Sequence, residues 1–578
     1  MRRPVTLPAT WATGVKHSSR RECTTMHTPS RRSVLRSIGI ASAAIAAPPL
    51  LSSCSTSSSS GDAANAGTEL APWPTYVPKA TVTPDLKGDV GTGIQDTYLN
   101  YPSELTKGTS ETPGDGSTLK VMTITYGTAP TPRGQNKYWQ GMEKALGVKI
   151  DFTSVPAADF TAKMATLMAS DDLPDILNLA GGATFPHEGP FVLKTMANIS
   201  EFVSGDAVKA YPNLANLPTG SWKAAGRFHG GIYGVPVQRA RPALVLWINS
   251  TNFEKHGFRP DNSGYSREDF TRLLQELTHG RKYGIGAAKD NALNWFGAHA
   301  QFHGVPNTWS VSDGKFSTYY ESPRFKEMLA YLHTLWKQRQ YYPDSASTAT
   351  VDLKTQFYNG TVQSYTDSFG ALPTTLSQVR GFKATPMISY SADGVDATPW
   401  AGPGYAGYTV INKKLSKAKI KMVLKVLDFL ASPFGTEEYQ LLMYGVEGVH
   451  FTYNKNGDPM PTALGRTENV VNLPFYSMCS APQVLYVPNA EEEIKAAYEW
   501  QRQTCPKLIN NPATGLRSNT LSTAGATLSQ SMDDAIIGII TGRRSVNSWD
   551  TAVSEWKSGG GDKIASEYES EYAAGTTK

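Results

Sequence analysis

Several groups in this chain have the residue types that chemistry needs, and each makes a demand on its surroundings. Gly402-Pro403-Gly404-Tyr405-Ala406-Gly407 matches GxGxxG letter for letter. A dinucleotide site requires a strand before that motif and a helix opening from it. Here Pro403 sits inside and a strand-like run, "GYTVINKK", follows, so a loop is expected. His299 and His303 have the i,i+4 spacing of helical metal ligands, but no Glu lies between them and no third ligand announces itself. Packing is the expected role for both. The adjacent acids Asp171-Asp172, Glu437-Glu438 and Asp533-Asp534 fall where helix ends or solvated faces would put them. No GxSxG, P-loop or HExxH occurs, and nothing assembles a nucleophile–base pair or a carboxylate pair for glycoside hydrolysis. The expectation is no catalytic residue, no metal and no cofactor.

Four cysteines, Cys23, Cys54, Cys479 and Cys505, are few for 578 residues, and no CxxC or zinc-like spacing links them. If the first two belong to a leader, Cys479 and Cys505 remain as a disulfide candidate, a bridge worth about 3 kcal/mol in an exported protein. Two buried free thiols are the alternative. The formal net charge is +5, but residues 1–54 hold eight Lys/Arg against one acid, Glu22. They carry +7 and the rest of the chain −2. A body so near neutrality has no electrostatic footprint for nucleic acid.

From Met26 a basic n-region leads into an apolar run over 38–51, which is signal-peptide length and short for a membrane span. The signal reads completely from Met26, which is therefore the expected true start. Ser30-Arg31-Arg32-Ser33-Val34-Leu35-Arg36 resembles a twin-arginine export signal with Val34 where Phe is usual; general export is the alternative. Leu51-Ser52-Ser53-Cys54 resembles the bacterial lipobox. In that class of signal the thiol is alkylated with diacylglycerol and becomes the new N-terminus, so Cys54 is the expected lipidation site. The lipid would hold the protein at the outer face of the cell membrane.

Residues 55–117 are rich in Ser, Gly, Pro and Thr with few apolar clusters beyond "APWPTYVP", and read as a flexible tether, with the alternative that the Pro-rich part lies extended on the body. The folded body opens with "LKVMTITY", a β-branched run suited to a buried strand. "NKYWQGMEKALG" reads as a helix closed by Gly147, "VKIDFTSV" as a strand, "AADFTAKMATLMAS" as a helix and "LPDILNLA" as a third strand. That β-α-β-α-β order indicates an α/β lobe with a largely parallel sheet. Helices dominate 251–392, with the turn "SDGK" before the helix in "SPRFKEMLAYLHTLWKQRQ". Ile420, Val423, Leu424, Leu427 and Leu430 share one helical face.

In this order the segments "SDDLPDILNL" (170–179), "FHGGIYGVP" (228–236), "WINSTNFEKHGF" (247–258) and "HGVPNTWSVSDGKF" (303–316) are specific. "FYNGTVQSYTDS" (357–368), "VLDFLASPFGTEEYQLLMYGVEGVHFT" (426–452) and "GGGDKIASEYES" (559–570) continue them. The chain resembles the lipid-anchored solute-binding proteins of bacterial ABC importers, in their large carbohydrate-binding branch. The resemblance implies an α/β, two-lobe periplasmic-binding-protein-like (type II) fold with the ligand cleft between the lobes. Lobe one would take 118–240 plus 400–450, and lobe two 241–399 plus 451–578. It implies ligand contacts from cleft-facing loops at Asn178, Gly181, Arg241, Trp247, Trp295, Trp309, Asp367, Phe369, Trp400 and Tyr405. Some relatives carry an acidic calcium loop where this chain reads "THGRKYGIG", so no such calcium site is expected.

The function this implies is capture of a small solute, foremost an oligosaccharide, and its delivery by a monomer to ABC permease subunits. Aromatic rings would stack on sugar faces, and Asp, Asn and Arg would meet hydroxyl edges. Two other readings stand beside it: an exported glycoside-processing enzyme, and the same binding fold with a peptide ligand. Carboxylates about 5–10 Å apart across the cleft would favour the enzyme.

Overall fold

A computed structural model describes residues 64–125, 129–180, 185–259, 264–469 and 474–576. The chain lays down β1 (Thr118–Thr125), β2 (Lys149–Pro156), β3 (Ile176–Ala180) and β4 (Gly234–Gln238). It crosses to β5 (Leu244–Asn249), β6 (Trp309–Ser312), β7 (Lys315–Thr318), β8 (Ser364–Ser368) and β9 (Ala384–Pro386). β10 (Tyr405–Ile411) brings it back, and β11 (Phe451–Tyr453) and β12 (Pro459–Pro461) form a short hairpin beyond.

The first sheet has the order β2-β1-β3-β10-β4, with β1 parallel to β2 and β3, and β10 antiparallel between β3 and β4. Helices cover both faces, which is why its strands are apolar runs and β4 is buried along its whole length. Alternate residues of one strand feed opposite cores. Val121 and Ile176 meet Met142, Val423 and Leu427 on one face; Met122 and Leu177 meet Met164, Val192 and Val410 on the other. The helix Lys137–Leu146 starts where the Asn136 side chain accepts from the Trp139 N–H, and stops at Gly147, whose φ of 66° suits glycine.

The second sheet is antiparallel, β8-β5-β9, and is widened by single bridges at Gly286–Tyr365 and Ile285–Tyr341. Helices Arg267–Leu277, Leu293–Phe302, Pro323–Lys337 and Asn519–Ile540 build the largest core on one of its faces. "SDGK" is the tight turn of the β6–β7 hairpin, with positive φ at both Asp313 and Gly314. His299 and His303 are buried in this core. Neither ring nitrogen of His299 has a hydrogen-bond partner, and burial, then the nearby His303, push its pKa down to about 3. It is neutral packing. Among the described residues no cluster of His, Cys, Asp or Glu gathers that could hold a metal ion.

Three expectations are corrected here. Residues 451–469 and the segment Pro474–Met478 go with lobe one, although 451–578 is assigned above to lobe two: Glu468 and Asn469 bond to Lys137 and Met443, and Phe475 and Met478 pack into the first core with Cys479 beside them. Cys479 and Cys505 are separate buried thiols, not a disulfide. Burial raises both, Cys505 to about 12, and the Cys505 thiol points at the Gly93 carbonyl.

The third correction concerns the tether: residues 64–117 form a strap that is bonded to both lobes. Asn65 donates to Glu571 and the Arg227 carbonyl and accepts from the Gly230 N–H. The Arg227 guanidinium lies 3.9 Å from the centroid of the Trp73 ring. Lys79 donates to Asn213 and to the Gly108 carbonyl. The strap then passes to lobe two, where Gln95 and Gln501 exchange hydrogen bonds and Asp96 and Tyr98 bridge to Leu485. Tyr98 and Tyr101 pack against Phe434 and Tyr486, and Gly108 and Thr109 donate to the Glu438 carboxylate. Few apolar residues are needed because backbone groups find partners on the body.

Candidate functional site

The lobes are joined by two antiparallel crossings, 238–244 and 400–405, tied by Arg239 N–H to Gly404 O and Ala243 N–H to Trp400 O. The GxGxxG letters fall in this crossing. At Gly402 a Cβ would come 3.1 Å from the Arg241 carbonyl oxygen, and Gly404 has φ 76°, so the glycines serve close backbone approach at the joint. The start of β10 pairs with the ends of β3 and β4, so these strand ends face lobe two.

Beside the joint lies a cavity of about 680 Å³, within the range of small-molecule sites. Lobe two supplies Phe369, Thr374, Ser377 and Lys383; lobe one supplies Tyr444, Phe451, Arg466, Asn469 and Tyr476. Gln483 and Asn489 come from the connection that follows, and the strap contributes Gln95. The wall therefore combines ring faces with amides, hydroxyls and cations. A buried pair positions the lobe-one part. His450 Nδ1 accepts from the Val446 N–H, so Nε2 carries the proton and donates to Glu468 at 3.1 Å. Glu468 also accepts from the Lys137 N–H at 2.7 Å, capping that helix. This fixes the Ala463–Glu468 helix, which carries Arg466, against the β11–β12 hairpin, which carries Phe451. Gly465 is obligatory there: a Cβ would lie 1.9 Å from the His450 carbonyl oxygen.

Of the ten expected contact residues, Phe369 borders this cavity, but it is 1% exposed with its ring stacked on Trp500 at 5.0 Å, so it backs the wall rather than offering a face. The four tryptophans are corrections, because each fills a core. Trp247 donates to the Ser368 carbonyl, Trp295 to Ala288 O while stacking on Tyr341, and Trp400 to Val305 O. Trp309 packs between Trp556 and Tyr568. Asp367 is likewise committed, at 2.9 Å from the Lys354 ammonium. Burial alone would lower Lys354; the carboxylate more than reverses that and raises it. Asn178 is buried in the sheet and bonds Thr409, and Arg241 is half-buried and bonds Asn510. Tyr405 is half-buried at the start of β10; burial pushes its phenol up, with Arg517 and Glu188 near enough to act on it. Gly181 and Cys54 lie outside the described residues. Sequence reasoning missed Tyr476, Arg466 and Gln483. The one signal for Tyr476 and Gln483 was an aperiodic stretch dense in Pro, aromatics and amides, "NLPFYSMCSAPQ"; Arg466 lies outside it and had none.

Two α/β lobes, a double crossing and an aromatic cavity beside it define a binding protein of the two-lobe type. The chain belongs to the bacterial extracellular solute-binding protein family, whose profile matches residues 129–437. It is 24% identical over 489 residues to the polygalacturonan/rhamnogalacturonan-binding protein YtcQ of Bacillus subtilis, covering 80% of this chain and 94% of that one. It is 21% identical to the lipoprotein LipO of the same organism, over 78% of this chain and 91% of that one. Among solved structures, the HMO-binding, ABC-transporter-associated solute-binding protein of Bifidobacterium longum infantis superposes with TM-score 0.59 at 14% identity. The match covers 80% of this chain and all of that one. The N-glycan transport protein NgtS of Streptococcus pneumoniae gives 0.57 at 18% identity, with the same coverage.

Proposed function

We propose that this protein captures an oligosaccharide between its lobes and presents it to the permease of an ABC importer. The observation that carries the reading is the interlobe cavity, whose half-buried Tyr444 and Tyr476 rings suit the C–H faces of sugars and whose amides suit their hydroxyls. The saccharide ligands named for YtcQ and NgtS support it, and both are binding proteins rather than enzymes. Closing the lobes on the ligand is the signal: a permease that prefers the closed form receives loaded protein selectively. No bond in the ligand need change. A thermal-shift screen over saccharide and peptide libraries checks this, since a ligand bound only by the native state raises the melting temperature. Saccharides should raise it without being hydrolysed. Peptides alone raising it, or turnover of the bound sugar, would refute the reading.

The same proposal places the protein on the outer face of the cell membrane through lipid on Cys54, in keeping with the relative named as a lipoprotein. A Cys54→Ala protein should appear in the culture medium; retention in the membrane fraction would move the anchor elsewhere.

A further inference from the structure

From Ala71 onward the strap is fastened to the body in an order that matters for the hinge. Its first footing is on lobe one: Ala71, Thr75 and Val77 donate N–H groups to the carbonyls of Gly230, Gly205 and Ala215. Lys79 follows with its bonds to Asn213 and Gly108. Its last footing is on lobe one again, where Thr106 pairs with Gly435 and Glu437 and Gly108 and Thr109 reach Glu438. Between the two footings a loop, 85–99, is thrown across lobe two. Backbone bonds pair Leu86 with Thr97 and Asp89 with Ile94, and the Leu99 N–H donates to Asp85, so the loop holds together as one piece. On lobe two the Tyr498 hydroxyl donates to Lys87 O, Gln95 and Gln501 exchange bonds, and Asp96 and Tyr98 pair with Leu485.

The loop also covers the joint itself. At Gly93, where φ is 93°, a Cβ would lie 2.6 Å from the Arg241 Cβ on the first crossing. The Gly93 carbonyl faces the buried Cys505 thiol. Successive side chains serve opposite lobes. Tyr98 stacks on Phe434 of lobe one at 4.3 Å, whereas Leu99 packs on the lobe-two core of Leu485, Ile494 and Trp500. Gln95 meanwhile lines the interlobe cavity.

We propose that this loop is a brace across the hinge: the lobes change angle only as residues 85–99 peel from lobe two, opening one wall of the cavity. Rigid lobes that rotate cannot keep both sets of bonds, because the loop is rooted at both ends on lobe one. Which side gives way follows from the footings. Lobe one grips through both of them and through the aromatic cluster of Tyr98, Tyr101 and Phe434. Lobe two grips through a few hydrogen bonds and the half-buried Leu99. A segment held by few buried apolar contacts is the one that opens locally. Nothing in this motion depends on what the cleft binds.

Cys505 supplies the probe. Burial keeps its thiol protonated, so it is alkylated only when uncovered. In the full chain carrying Cys23→Ser and Cys54→Ser, the thiols left are Cys479 and Cys505. Alkylation of the native protein should reach Cys505 about tenfold faster than Cys479, which sits in a lobe-one core. The Cys505 rate should barely change in dilute urea, because a peel exposes little surface, while the Cys479 rate climbs steeply. Gln501→Ala should speed Cys505 about tenfold and raise the radius of gyration in solution scattering as the lobes swing apart. Gln275→Ala, in the same lobe with its amide on Gln338, should do neither. If Gln501→Ala does not fold, Tyr498→Phe removes the bond to Lys87 and should give smaller shifts in the same directions. Both thiols reacting together with one urea dependence would overturn the brace, since the loop then never peels. A faster Cys505 with unchanged scattering would overturn it too, since the lobes then ignore the peel.

Discussion

Replacing Asp428 by alanine should lower stability by about 3 kcal/mol or more. Asp428 is buried in the helix Lys417–Leu430, and its Oδ1 accepts from the N–H groups of both Asn213 and Leu214. It caps the short helix Pro212–Ala215, and Asn213 in turn holds Lys79 of the strap. Alanine would orphan two buried donors at once and loosen that chain of contacts. Asparagine keeps one acceptor oxygen where both N–H groups converge, so Asp428→Asn should cost less. The two side chains also differ in pH dependence. Burial raises the Asp428 pKa from 3.8 to about 6, against the lowering pull of its hydrogen bonds. The native state then holds a proton that the unfolded state has released, so this group's contribution falls as pH rises from 3.8 to about 6. In urea titrations the midpoint of the asparagine variant should climb relative to the parent across that window. Parallel curves would show that Asp428 titrates normally.

Truncation should separate strap from tether. A protein beginning at Ala64 should melt with the parent. One beginning at Ser117 uncovers Phe434 and Tyr486, orphans the Glu438 carboxylate and breaks the Gln95–Gln501 pair. Burying Tyr98 and Tyr101 alone is worth about 4 kcal/mol, so the melting temperature should fall by about 4 °C or more in a body of this size. Should the shorter protein melt with the parent, residues 64–117 add nothing to the fold. If it fails to fold at all, Gln501→Ala gives the milder version, expected to lower the melting temperature by a few degrees.

The elements of lobe one were legible because each carries its own local signal. β1 and β3 are apolar runs, the helix after β1 ends at Gly147, and Ser416 opens the helix that carries Val423 and Leu427. The strap was illegible for the opposite reason. Its composition is that of a linker, and what orders it are partners more than 100 residues away: Asn216, Glu438, Gln501 and Glu571. No window of sequence holds both halves of such a bond. The candidate site was only partly legible. A tryptophan that would stack on a sugar and one that fills a core look the same in a sequence, and Trp247, Trp295, Trp309 and Trp400 are all of the second kind. Asp367 was sought as a ligand contact because it ends a strand, but Lys354 reaches it from the neighbouring helix. The cavity wall from Tyr476 to Asn489 lies in irregular backbone, where periodicity is silent.

The Asn65 clip also shortens the leash. If all of 55–117 were free, its 63 residues could pay out to roughly 200 Å. With Asn65 fastened to Glu571 and Gly230, only ten residues, 55–64, would separate that fastening from the lipid proposed on Cys54. Ten residues reach no farther than about 35 Å. Given that lipid, the receptor would be moored rather than drifting, its berth confined to a shell about as deep as a small domain is wide. A loaded cleft searches a small volume for its permease, and the gain is in effective concentration rather than in any contact between the two.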